Sequence, residues 1–278
     1  MGPVTLFDKS FLQQLSEDES VWFDHFFQAC VSPIFYVETL ADLAKAARKD
    51  RAPDDEVAII SHKFPEMHGT PCVFHLELAF QNLLGQPIPL TGQIPVRGGR
   101  PVKHAGRNGI VFNSLDENEA FARWGEGHFE EVERGFAYRW RQAVASLDLR
   151  SAIDLLRPVG LAGLRCKSVE AARDAAHAFV SATENPFERM RLAAHILSIE
   201  PQYRREMVRR WQIAGRPSLM TYAPYAAHVV SVELFFLLAM DNGLLSPDRP
   251  SNRNDIAYLH YIPFCMMMVS ADRLHRRC

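Results

Sequence analysis

Cysteine is scarce in this 278-residue chain. Cys30, Cys72, Cys166, Cys265 and Cys278 are odd in number and scattered, which argues against a disulfide framework and reads as buried free thiols. Excess charge is lacking too. Thirty-one lysines and arginines face thirty-three aspartates and glutamates for a formal charge of −2, so any nucleic-acid binding must come from local basic patches. No apolar run is long enough to span a bilayer: the strongest, Val229 to Met240, is short and carries Glu233. The N-terminus has no basic segment followed by a long apolar run. With Pro3 after Gly2 and Leu6 at the sixth position it has no myristoylation pattern either, so no membrane association and a cytoplasmic location are expected. A Gly-x-x-x-x-Gly-Lys-Ser/Thr order is missing, which leaves no support for a nucleotide-binding P-loop, and no internal repeat stands out.

What the chain does have is a hydrophobic content of 47%, enough to bury a sizeable core. Two apolar segments that each deliver an aspartate are the most informative part of it. Val4-Thr5-Leu6-Phe7 runs into Asp8 and Ser10, and Met266-Met267-Met268-Val269-Ser270 runs into Asp272. In an open parallel sheet ligands sit outside the carboxyl ends of the strands, so two such strands side by side would converge two carboxylates. Glu38, after the β-prone Ile34-Phe35-Tyr36-Val37 and before a helical stretch from Thr39, is expected at a strand-to-helix corner. Asp255 opens another helical stretch, Ile256 to Ile262. A dry cluster of carboxylates repels itself unless cations occupy it, and ligands that are all oxygen favour Mg²⁺ or Mn²⁺ over zinc.

The segments Leu6-Phe7-Asp8-Lys9-Ser10-Phe11-Leu12, Val31-Ser32-Pro33-Ile34-Phe35-Tyr36-Val37-Glu38, Asp255-Ile256-Ala257-Tyr258-Leu259 and Val269-Ser270-Ala271-Asp272 resemble, in order, the four acidic motifs of the PIN-domain and PIN-like nucleases. The resemblance implies an α/β fold, a three-layer α/β/α sandwich with a central parallel sheet. It also implies a metal-dependent phosphodiesterase, with RNA as the expected nucleic-acid substrate and Mg or Mn as cofactor. Asp8 and Asp272 would be inner ligands, with Glu38 and Asp255 positioning waters or a second ion. Ser10 and Ser270 would support them through hydrogen bonds. Lys9 stands where the family often has Thr or Ser, and Ala271 where it often has Asn. A haloacid-dehalogenase-like phosphatase would need a second aspartate at the position of Ser10. The alternative is a catalytically idle PIN-like module that binds a protein or RNA partner, with the Lys9 ammonium relieving the acids' repulsion. A homodimer is a further association the resemblance leaves open.

The distance from Glu38 to Asp255 far exceeds what such a core needs. The expected organisation is therefore residues 1–50 and 220–278 as a PIN-like core, and 51–219 as a mainly helical insertion that could recognise a partner. Within it, Val57 to Ile60 reads as a possible strand and Val73 to Leu84 as a helix. The Gly/Pro-rich stretch 85–109 reads as a long basic loop whose Arg97, Arg100, Lys103 and Arg107, with Lys9, are candidates for substrate contact. Phe121, Trp124, Phe129, Val132, Phe136 and Trp140 recur at helical spacing as one core stripe. His62, His68, Cys72 and His75 lie close in sequence but without paired two-residue gaps, and read as ordinary loop and core residues. Glu233, alone on the apolar Tyr222–Met240 helix, needs a partner: the acidic site as an outer member, or His228 and local hydroxyls.

Overall fold

A computed structural model describes residues 2–47, 51–96, 100–111 and 116–275. It is a mixed α/β structure, predominantly helical. In chain order the elements are β1 (Val4–Phe7), α1 (Lys9–Gln14), α2 (Glu17–Phe26), β2 (Gln28–Val31), α3 (Pro33–Leu40), α4 (Pro53–His62), β3 (Gly69–Pro71), α5 (His75–Leu83), β4 (Arg100–His104), β5 (Arg107–Val111), α6 (Asp116–Gly125) and α7 (Glu131–Ala145). Then follow α8 (Leu149–Ala152), α9 (Val169–Ser181), α10 (Pro186–Ile196), α11 (Pro201–Ile213), α12 (Leu219–Tyr222), α13 (Pro224–Asp241), α14 (Asn252–Tyr258) and β6 (Met267–Val269). The chain divides into two compact units. One comprises residues 1–73, 92–145 and 264–272, the other 74–91, 146–263 and 273–278. This grouping differs from the core-and-insertion division expected from sequence, because 51–73 and 92–145 fall with the N-terminal strands.

The first unit is built on a four-stranded sheet of order β3-β2-β1-β6, every neighbouring pair parallel. Phe7 pairs with Val269 and Leu6 with Cys30, so the two aspartate-delivering strands do lie side by side. Leu6, Phe7, Ala29, Cys30 and Val31 are fully buried, as expected of parallel strands covered on both faces. Phe7 meets Phe35 of α3 edge-on at 5.0 Å, and Phe64 stacks on Phe121 of α6 at 4.2 Å, so aromatic contacts fill much of this core.

Several local expectations change here. Val57–Ile60 lies within α4 rather than a strand. Pro53 occupies its first turn with Asp54, Asp55 and Glu56, a helix-start signature that outweighs the short apolar run. The stripe from Phe121 to Trp140 is broken between α6 and α7, where Gly127 adopts a φ of 75°. Phe121 and Trp124 are buried on α6, while Val132 on α7 is exposed. On α2, Ser16 and Glu19 form a capping box at the helix start, and Val21, Trp22 and Phe26 face solvent. The 85–109 loop contains β4 and joins it to β5 as an antiparallel hairpin. The turn, Ala105 and Gly106 with φ of 49° and 77°, matches the twist of a two-residue hairpin.

The second unit centres on α13. By length and composition this eighteen-residue helix could cross a membrane, and it is longer than the apolar run read from sequence. However, 72% of it is buried within the protein. Packed residues from Tyr225 to Met240 make it a core helix. No side chain at its own N-cap serves its first amides; Asn82 of α5 does, its Oδ1 accepting from Tyr225 N at 2.9 Å and Ala226 N at 3.1 Å.

Candidate active site

Asp8 ends β1 and caps α1. Its side chain is 3% exposed, and its Oδ1 accepts from the Phe11 amide at 2.9 Å, the usual bond of an aspartate N-cap. Two hydroxyls also donate to the carboxylate: Ser10 Oγ, at 2.8 and 2.9 Å from its two oxygens, and Ser270 Oγ, at 2.5 Å from Oδ2. Both serines then reach the segment after β6. Ser10 Oγ accepts from Ala271 N at 3.1 Å, and Ser270 Oγ accepts from Asp272 N at 2.9 Å. The two serines therefore clip the ends of β1 and β6 together and fix the plane of the Asp8 carboxylate, as outer-sphere groups do around ligating carboxylates. Asp272 is half-buried at the same sheet edge.

Ser270→Ala would take a charge-assisted hydrogen bond from a buried carboxylate and release the Asp272 amide. A loss of about 1.5–3 kcal/mol in urea-unfolding stability is expected, larger than for a typical surface serine.

Glu38 is not at a strand-to-helix corner. Ser32 caps α3, Pro33 opens it, and Glu38 lies in its last turns. The β-branched and aromatic run Ile34 to Val37 resembled a strand, but the Ser-Pro start decides for a helix. Lys9 Nζ donates to the Glu38 carbonyl at 3.0 Å, which ties this helix end to the residue after Asp8. The same ammonium pairs with Asp42 at 3.0 Å, and Lys45 joins Asp42 at 2.8 Å. Asp42 is only 2% exposed and was missed in the sequence reading; its place one turn after Glu38, with Lys45 three residues on, was the available signal. Lys9 is thus engaged in an ion pair with Asp42.

Of the other candidate substrate contacts, Arg97 lies outside the described residues. Arg100, Lys103 and Arg107 lie on the exposed β4–β5 hairpin. Arg100 opposes Val111 and Arg107 opposes His104, so the two arginines share one face of the ribbon, while Lys103, opposite Asn108, is on the other. They form no single cationic surface.

Asp255 sits in the first turn of α14, in the second unit, and its carbonyl oxygen lies 2.7 Å from His275 Nε2. Glu233 belongs to that unit as well, and its partners are Arg253 at 2.8 Å and His260 at 3.0 Å rather than His228. The His260 contact is electrostatic, without the alignment of a good hydrogen bond. Burial alone would raise the Glu233 carboxyl, but the Arg253 guanidinium and His260 hold it down to about 2. His228 instead places Nε2 3.0 Å from the Leu259 carbonyl. Beside this cluster His75 is buried, 3.2 Å from the Tyr261 hydroxyl, and burial pushes its pKa down to about 2.

Among the described residues no group of three His, Cys, Asp or Glu side chains placed to hold a metal ion is found. Asp8 and Asp272 are the pair brought to one edge and linked through Ser270. No family model, curated protein or solved structure matches the chain.

Proposed function

We propose that this protein is a metal-dependent phosphodiesterase of PIN-like architecture, a three-layer α/β/α sandwich acting on RNA from the carboxyl edge of its parallel sheet. One observation carries the reading. β1 and β6, more than half the chain apart in sequence, pair in parallel so that Asp8 and Asp272 emerge together, joined through the Ser270 hydroxyl. A ligand at that edge is the general expectation for an open parallel sheet.

The donor set suits the cofactor: carboxylate and hydroxyl oxygens, with no thiolate or imidazole in the clip, favour Mg²⁺ or Mn²⁺. Asp8 and Asp272 would hold the ion, with Glu38 the third acid of the same unit. Asp255 remains in the proposal on the motif resemblance alone. Bound there, the ion would lower the pKa of a water and neutralise charge on the scissile phosphate. The serines orient Asp8 before any ligand arrives, and the Lys9–Asp42 pair anchors α1 against the chain that follows α3. Lys9 no longer favours the idle-module reading, since its ammonium is engaged by Asp42.

The test is incubation of labelled single-stranded RNA and single-stranded DNA with Mn²⁺ or Mg²⁺, with a chelator control and Asp272→Asn alongside. Cleavage of RNA that requires the ion and falls at least about 100-fold in the variant is expected. Folded wild-type protein that neither cuts nor binds Mn²⁺ would sink the proposal and leave a partner-binding module.

A further inference from the structure

Helix α2 is apolar on two sides, and only one of them is covered. Phe23 docks it onto the core of the first unit, 5.6 Å from Phe7 and 5.1 Å from Phe11. On the outer side Val21, Trp22 and Phe26, with Met67 from the chain after α4, are each more than half exposed, and Trp22 stacks on Phe26 at 5.5 Å. Large apolar side chains gathered in one exposed patch mark interaction sites. Here they border an open groove of about 770 Å³ between α2, α4 and α6, with the buried Phe64 and Phe121 at its floor. Small residues at its walls, Ser61, Ala122 and Gly125, leave the space open. The groove is also held in shape before any partner arrives. A capping box fixes the start of α2, and the Asp24 carboxylate accepts from Met67 N at 2.9 Å and His68 N at 2.8 Å, which ties the Met67 segment to the helix.

The charge around the groove decides what fits it. Glu66 and Glu126 are exposed carboxylates in its lining, and Asp18 lies one turn before Val21 and Trp22 on their face of α2. No lysine or arginine among the described residues lines it, and neighbouring Lys63 turns its ammonium to the Leu15 carbonyl. We propose that this groove docks a cationic amphipathic segment of a partner protein. The partner's apolar side chains enter against Trp22 and Met67, and its lysines or arginines meet Glu66 and Glu126. Nucleic acid and anionic lipid are disfavoured, since both would bring phosphate against these carboxylates. A second copy docked face to face would set the acids of one protomer against those of the other. The groove shares no residue with the Asp8–Asp272 edge.

Fluorescence titration of the full chain tests this, with an amphipathic helical peptide of leucine and lysine and its leucine–glutamate counterpart of the same length as probes. Work at about pH 8, above the ordinary range of histidine, keeps His25 and His62 of the lining out of the charge balance. Saturable one-to-one binding of the lysine peptide is expected, with a blue shift of tryptophan emission that Trp22→Ala removes, and about tenfold weaker binding of the glutamate peptide. Trp22→Ala should also weaken the lysine peptide about tenfold. Glu66→Lys combined with Glu126→Lys should weaken it about tenfold too, and should leave the thermal midpoint unchanged because both side chains are exposed. Equal affinity for the two peptides, no saturable binding, or binding indifferent to these variants would overturn the proposal. Self-association or RNA binding of the wild type that Trp22→Ala abolishes would overturn it as well, by assigning the face to a second copy or to nucleic acid.

Discussion

Asp8→Asn is expected to reduce ion-dependent RNA cleavage about 10²–10³-fold while the protein stays folded. The two halves of that statement have separate causes. Asparagine is as good an N-cap as aspartate, so the bond from the Phe11 amide survives and α1 keeps its start. What changes is the charge and one acceptor. An amide presents one oxygen and an NH₂, so at least one of the two serine hydroxyls that now donate to Asp8 meets a donor instead. That mismatch should lower unfolding stability by about 1–3 kcal/mol. Losing a ligand carboxylate removes several kcal/mol of charge stabilisation, hence the two to three decades in rate. Rate measured under single-turnover conditions, beside Mn²⁺ affinity, separates the effects. Unchanged cleavage with reduced stability would show that Asp8 is only a cap and a clip.

Acid should unfold the second unit between about pH 6 and 4.5. His75 and His228 are buried with pKa values pushed down to about 2 and about 4, and burial lowers His260 as well. A histidine whose folded pKa lies below its ordinary 6.5 takes up its proton first in the unfolded chain. Stability is therefore full above about pH 6.5 and falls as pH drops toward the folded value. Each such group contributes a loss of about 1.4 kcal/mol per pH unit. From pH 6.5 to 4.5 His75 and His228 together remove about 5 kcal/mol, comparable with the whole stability of many domains, and His260 adds to it. Glu233 extends the trend to lower pH by the same linkage, since its folded pKa also lies below the ordinary value. Its carboxyl is depressed to about 2, so its contribution holds above its ordinary 4.5 and is lost below that as the pH falls. Urea titrations at pH 7, 5.5 and 4.5 should show midpoints falling steeply, and His228→Gln should flatten the slope by close to one proton. Midpoints that do not move over this range would mean the three rings titrate normally.

The pairing of β1 with β6 and the sheet-edge acids were legible because both strands write themselves as short apolar runs that lead into an acid, although only β1 is buried while β6 is partly exposed. Ile34–Val37 and Val57–Ile60 were misread as strands because four apolar residues carry no period long enough to separate strand from helix. The deciding signals, Ser32-Pro33 and Pro53 with its three following acids, stood just upstream. Glu233 announced that it needed a partner, but which partner depended on α14 and on the residues after it, placed by tertiary packing alone.

The pairing of β1 with β6 also sets an order of events during synthesis. β2 reaches β1 after some twenty residues, but the other edge of β1 stays open until Met267–Val269 has been made, across a closure of about 260 residues. Such long-range parallel pairing is slow, and an unpaired strand edge invites misassociation meanwhile. Until then Asp8 lacks the Ser270 hydroxyl and has no second carboxylate from β6 beside it. An incomplete chain therefore carries the first half of the clip and none of the second, and the Asp8 carboxylate takes its full set of hydroxyl donors only once Ser270 has been made.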